Sequence, residues 1–128
     1  MRTRAKNSSK KFAILGLLIL SLGICTPVFS VPMRLTETEI TSQLNNIPEW
    51  TREGRLLRRE FVFGDFREAI AFVESLVEPA DHAGHHPDIE ISYNKVTLIL
   101  TTHDAGGLTQ LDFDVAQLIN QLLSDTPE

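Results

Sequence analysis

Between residues 36 and 123 the hydrophobic positions switch between a period of about 3.6 and a period of two, and the switches mark out the elements. Thr36-Glu37-Thr38-Glu39 fits a capping box, with Thr36 capping an amide and Glu39 reaching back. A short helix to about Asn45 follows, with Ile40 and Leu44 on one face, and Asn46-Ile47-Pro48-Glu49 stops it. Trp50 opens a brief strand, Glu53-Gly54 supplies a turn, and Leu56 to Phe63 reads as a second strand. There Leu57, Phe61 and Phe63 share one side and Arg58 and Glu60 the other, while Arg59 breaks the alternation. Asp65 is the expected N-cap of a helix whose apolar stripe is Phe66, Ala69, Ile70, Val73, Leu76 and Val77. Pro79 is expected to kink or restart that helix, with Asp81 through His86 as its last turn or two and Pro87 closing it.

Ile89 to Tyr93 alternates cleanly, Asn94-Lys95 reads as a two-residue connection, and Val96 to Thr101 returns as the hairpin partner. After a loop from Thr102 to Gly107, Thr109 caps a final helix with Asp112 at its third position. Leu111, Val115, Leu118, Ile119 and Leu122 form its buried face. The order α-β-β-α-β-β-α predicts an α+β fold, a four-stranded antiparallel sheet with three helices packed on one face. Tyr93, Trp50 and the phenylalanines are expected in the core rather than as stacking platforms.

The first thirty residues follow other rules. A basic head (Arg2, Arg4, Lys6, Lys10, Lys11) precedes an apolar run from Phe12 to Cys25 and a small-residue stretch ending at Ser30. That order is the pattern of a secretory signal peptide, and the run is shorter than the ~20 residues that span a bilayer. Residues 1–30 are therefore expected to direct export to the periplasm or outside the cell, with an uncleaved membrane anchor as the alternative. Cys25 suggests a lipid anchor less well, because bulky Ile24 precedes it. Residues 31–128 make one domain with a modest core, for which self-association is a natural way to bury more. Five of the 12 basic residues and none of the 17 acidic ones lie in the first thirty, so the domain carries a formal net charge of −10. Such a domain is not expected to hold nucleic acid, or a membrane other than through residues 1–30. It contains no cysteine, which excludes disulfides and thiol nucleophiles.

All four histidines lie between residues 82 and 103. On a helix, His82, His85 and His86 share a face, and His103 at the end of the hairpin is able to fold back beside the helix end. Three readings are open: a metal site, a solvated helix end of no consequence, and acid–base catalysis by imidazoles gathered from a helix end and a loop. No carboxylate–histidine signature of a metal enzyme is present, and His82 by itself reads as solvated.

The wider spacing decides among them. Asp81, three residues, His85-His86-Pro87, five residues, Tyr93, nine residues, His103, eight residues and Asp112 resemble the signature of the pterin-4a-carbinolamine dehydratase family. The likeness runs through Tyr93-Asn94-Lys95-Val96, Thr102-His103 and Gly107-Leu108, and upstream through Trp50, Gly54, Phe61, Phe63, Asp65, Phe66 and Phe72. It covers nearly all of residues 35–123 and none of the first thirty. The resemblance implies dehydration of 4a-hydroxytetrahydrobiopterin to the quinonoid dihydropterin, without metal or organic cofactor, by a homodimer or homotetramer. It implies His85 as the leading acid/base, His103 as its counterpart across the ring and His86 in positioning the substrate. Pro87 and the loop Thr102, His103, Asp104, Ala105 would line the pterin pocket. Asp81 and Asp112 would orient imidazoles, with a helix-cap role for Asp112 equally open. Asp81 stands where glutamate is frequent, Pro79 interrupts a helix that is often continuous, and Gly84 loosens the turn before His85. The competing class is a non-catalytic binding or assembly protein on the same fold, since export removes the domain from the usual site of tetrahydropterin recycling.

Overall fold

A computed structural model describes residues 30–124, so the expected signal segment, residues 1–29 in particular, lies outside the described residues. The elements are α1 (Glu37–Leu44), β1 (Thr51–Glu53), β2 (Leu56–Val62), α2 (Phe66–Ser75), α3 (Val77–Ala83), β3 (Asp88–Ser92), β4 (Lys95–Leu100) and α4 (Gln110–Ser124), with a 3-10 turn at His103–Ala105. The four strands form one antiparallel sheet in the order β1-β2-β4-β3. This is the expected α+β architecture, with the central helix in two segments.

Alternation along β2 and β4 determines where the helices go. Leu57 lies opposite Leu100 and Phe61 opposite Val96, so Leu57, Phe61, Val96, Leu98 and Leu100 form one apolar face. Ile40, Phe72, Phe113 and Ile119 pack into the same core from the helices. The opposite face carries ion pairs between apolar positions such as Val62 and Ile99: Arg58 reaches Glu53 at 3.6 Å and Glu90 at 3.5 Å, and Lys95 reaches Glu60 at 3.4 Å. Arg59, the break in the alternation, belongs to the core face and is matched there by α4. Its guanidinium donates to Asn120 Oδ1 and lies 4.5 Å from the centre of the Phe61 ring. Trp50 Nε1 donates to the same oxygen at 3.0 Å, and Asn120 Nδ2 donates to Glu49 at 3.0 Å. Burial lowers the Arg59 pKa from its usual value, opposed by the charge of Glu49.

The capping box of α1 forms as read, with Thr36 Oγ1 accepting from the Glu39 amide at 3.3 Å and Glu39 accepting from the Thr36 amide at 2.8 Å. Arg52 ties α1 to β1 through both oxygens of Glu37, at 2.6 and 2.9 Å, and these hydrogen bonds hold the Glu37 carboxyl below its ordinary 4.5. A depressed carboxyl contributes stability above its unfolded pKa and loses it as pH falls through the folded one, so this tie weakens only on acidification below 4.5. Asp65 accepts from the Glu68 amide at 2.9 Å and caps α2. Asp65→Ala is expected to lower the unfolding free energy by about 1 kcal/mol, seen as a shift of the urea midpoint with unchanged slope.

Three local expectations are corrected. The helix breaks at Leu76, not at Pro79, because a proline ring at 79 would meet the carbonyl of residue 75 in a continuous helix. Restarting at Val77 places Pro79 in the first turn of α3, where amides lack intrahelical acceptors anyway. Next, α3 ends at Ala83 with Gly84 at φ 61°, and the His85 amide closes back on the Ala80 carbonyl at 3.2 Å. His85 and His86 therefore follow the helix instead of forming its last turn, and of the three only His82 lies within α3. Finally, Ser92 pairs with Lys95, so the hairpin connection is Tyr93-Asn94. Tyr93 takes the left-handed φ of 53°, while Asn94 Nδ2 donates to the Phe63 carbonyl at 2.6 Å. Trp50, Phe61, Phe72 and Phe113 are buried, but Tyr93 and Phe66 are exposed and do not belong to the core.

Candidate active site

The site forms where three chain ends meet: the exit of α3, the loop after β4 and the start of α4. Asp112, in the first turn of α4, is 0% exposed. Its Oδ2 accepts from the Thr109 amide at 2.8 Å, the reciprocal half of a capping box, and from the Thr102 hydroxyl at 2.9 Å. Its Oδ1 lies 2.7 Å from His85 Nε2, and the His85 side chain is only 11% exposed. One carboxylate thus serves both as helix cap and as imidazole partner, the two roles the sequence left open. The Thr102 and Thr109 hydroxyls meet at 2.8 Å.

The other two imidazoles face solvent. His86 Nε2 lies 2.8 Å from Asp81 Oδ1. His103 sits on the 3-10 turn, held out by the Thr102–Gly107 bridge and by Gly106 at φ 65°. Its Nε2 is 3.9 Å from Asp88 Oδ2, beyond hydrogen-bond range but close enough for attraction whenever the ring is protonated. A groove of about 300 Å³ is lined by Gly84, His85, His86, Thr101, Thr102, His103 and Asp104, near the lower end of the ~300–1,000 Å³ usual for small-molecule sites. His85, His86 and His103 are brought together; Pro87 and Ala105 flank the groove in sequence without forming its wall. His82 turns back on its own helix, 3.1 Å from the Glu78 carbonyl. Among the described residues no group of three or more His, Cys, Asp or Glu is placed to hold a metal ion.

Two participants were not read from the sequence. Asp88 follows Pro87, and its nearness to His103 arises from the pairing of Asp88 with Ile99 at the far end of β4. The Thr109 hydroxyl was read only as a cap, yet it contacts Thr102. Neither carries a signal in linear spacing.

Chemically, the groove offers three imidazoles, each with a carboxylate beside it, and an imidazole ring carries both a donor and an acceptor nitrogen. Residues 33–122 match the family model described as pterin 4 alpha carbinolamine dehydratase. A relative from Picosynechococcus sp. is 63% identical over 89 residues, covering 70% of this chain and 97% of its own length. One from Nostoc sp. is 64% identical over 88 residues, covering 69% and 95%. Both bear the name "Putative pterin-4-alpha-carbinolamine dehydratase". The crystal structure of a transcriptional coactivator/pterin dehydratase from Brucella melitensis aligns with TM-score 0.66 and 33% identity, over 70% of this chain and 97% of that one. A pterin dehydratase-like RuBisCO assembly factor of the alpha-carboxysome aligns with TM-score 0.51 at 22% identity, over 61% and 93%, a likeness of fold alone.

Proposed function

Since the chain belongs to the pterin-4a-carbinolamine dehydratase family, we propose that it dehydrates a 4a-hydroxytetrahydropterin, 4a-hydroxytetrahydrobiopterin being the family's substrate, to the quinonoid dihydropterin. The observation that carries the reading is the set of three imidazole–carboxylate neighbours around one groove, His85–Asp112 at 2.7 Å, His86–Asp81 at 2.8 Å and His103–Asp88 at 3.9 Å. In the reaction the C4a–O bond breaks and the hydroxyl leaves as water after taking a proton from an acid. A base takes the N5 proton, and the electron pair left there closes the C4a=N5 double bond. One imidazole as acid and another as base meet both demands, and the pterin is the substrate, so no further cofactor is called for. His85, enclosed and held by Asp112, is the leading acid/base; His103 is its counterpart and His86 positions the ring. Thr102 and Asp104 complete the lining around the pterin, with Pro87 and Ala105 flanking the groove in sequence.

The test is the rate of dehydration of freshly generated 4a-hydroxytetrahydropterin, followed by absorbance with and without protein. No acceleration above solvent by the intact chain would overturn the reading. The competing reading, a non-catalytic binding or assembly protein, is favoured by the exposed Phe66, Ile70, Ile89 and Ile91. A pure scaffold, however, needs Asp112 only as the cap of α4 and has no use for three imidazoles around one groove.

The same exposed side chains support self-association. Every residue of β3 is exposed, and among the described residues no strand pairs its outer edge, which carries no lysine and no proline beyond Pro87 at its start. Light scattering is expected to give a dimer or tetramer, and Phe66→Glu with Ile70→Glu to lower that order; a monomeric parent chain would refute it. Export through residues 1–30 is likewise proposed, and N-terminal sequencing of the chain recovered from cells is expected to begin near Val31.

A further inference from the structure

The buried contacts around Asp112 have a direction. A threonine hydroxyl has one proton to give, and Thr102 gives it to Asp112 Oδ2 at 2.9 Å. At its 2.8 Å contact with Thr109, Thr102 must therefore accept, and Thr109 donate. The Thr109 amide, which can only donate, reaches the same Oδ2 at 2.8 Å. Oδ2 is thus occupied by two donors, and Oδ1 is left for His85 at 2.7 Å. A carboxylate only accepts, so Nε2 of His85 carries a proton whether the ring is neutral or cationic. No other hydrogen bond engages the ring among the described residues, so Nδ1 is the nitrogen left to react.

We infer that Thr102 and Thr109 are positioning residues: a one-way hydroxyl chain assigns the two oxygens of Asp112, holds His85 with its proton on Nε2, and makes Nδ1 the atom that exchanges protons with the substrate. The last part rests on the proposed dehydratase reading; the tautomer does not. The ionisable groups nearby are Asp81 on α3, His86 and Asp88 after it, His103 and Asp104 on the 3-10 turn, and Asp112 on α4. Of these only Asp112 bonds to the His85 ring.

The chain makes a sharp statement about Asp112→Asn. Two donors at the inner position select the carboxamide oxygen, which turns the –NH2 toward His85. The ring must then accept at Nε2 and move its proton to Nδ1.

The experiment is ¹⁵N NMR of the histidine-labelled full chain, at a pH where the imidazoles are neutral, beside steady-state kinetics. His85 is expected as the Nε2–H tautomer in the parent chain and as Nδ1–H in Asp112→Asn, with kcat falling about 10²-fold or more in the variant. Thr102→Val is expected to lower kcat about tenfold with KM within about twofold, Thr102→Ser to restore it, and Thr109→Val to lower kcat about threefold. An Nδ1–H tautomer in the parent, an unaltered tautomer in Asp112→Asn, or equal kcat in the Val and Ser variants would each overturn the inference. If Thr102→Val does not fold, Thr109→Val and Asp112→Asn still read the chain. An inactive parent with the expected tautomers would sink the dehydratase reading and leave the hydroxyl chain standing; an active parent with the wrong tautomer does the reverse.

Discussion

His85→Ala is expected to lower kcat for dehydration by about 10²–10⁴-fold, the usual contribution of a positioned general acid or base. The size of the loss follows from how the three imidazoles are held. His85 is enclosed and bonded at 2.7 Å to a carboxylate with 0% exposure, so under the proposed dehydration it would enter the reaction with its orientation already fixed. His103 is 79% exposed at its side chain and only near Asp88, so His103→Ala is expected to cost less in kcat. His86→Ala should act mainly on KM, consistent with a role in holding the ring. The fold should survive His85→Ala, because Asp112 keeps the Thr109 amide and the Thr102 hydroxyl. Far-UV circular dichroism and a urea titration check that point. A loss of less than about threefold in His85→Ala, in folded protein, would remove His85 from the chemistry.

Phe113→Ala is the change expected to damage stability most. The ring is 0% exposed on α4, in one core with Leu57, Leu98 and Phe72. Its loss removes apolar burial and leaves a cavity, together about 3–5 kcal/mol. A domain of this size has roughly 5–15 kcal/mol in all, so the variant is expected to melt about 15–30 °C lower. Phe66→Ala is the control: that ring is exposed in the monomer, and its removal should change monomer stability by no more than about 0.5 kcal/mol. Thermal melts of both variants make the comparison, and equal losses would contradict the placement of Phe113.

The sequence carried the element order because period and punctuation agreed along most of the chain. Leu57 and Phe61 on β2, and the capping box at Thr36, needed no tertiary information. What the pattern leaves unexplained is decided by a partner distant in sequence or by the local backbone. Arg59 breaks its strand's alternation because Asn120 on α4 receives it. Spacing alone makes Asn94 the first residue of a connection at 94–95, yet its side chain donates to the Phe63 carbonyl and Ser92 pairs with Lys95, so the connection is Tyr93-Asn94. Gly84 was read as loosening the last turn, whereas its φ of 61° ends the helix and releases His85 toward Asp112. The imidazole cluster was legible from spacing. The resemblance implies that Asp81 and Asp112 orient imidazoles, but which ring each one meets is visible only in the fold, and Asp88 approaches His103 through sheet register.

The exposed edge strand β3 leads directly into the site, with Asp88 as its first residue. Because β4 is the only strand beside β3 among the described residues, alternate amides along β3 point away from β4 with no partner strand there. In an isolated chain those amides are expected to exchange with deuterium at nearly free rates. The Thr109 amide, bonded to buried Asp112, should exchange only through large-scale opening. The two walls of the groove would then differ in rigidity, and binding would order the Asp88–His103 side against a fixed His85. Slow exchange along β3 would instead report a second chain lying against it, so one deuterium profile reads both the softness of the site and the state of assembly.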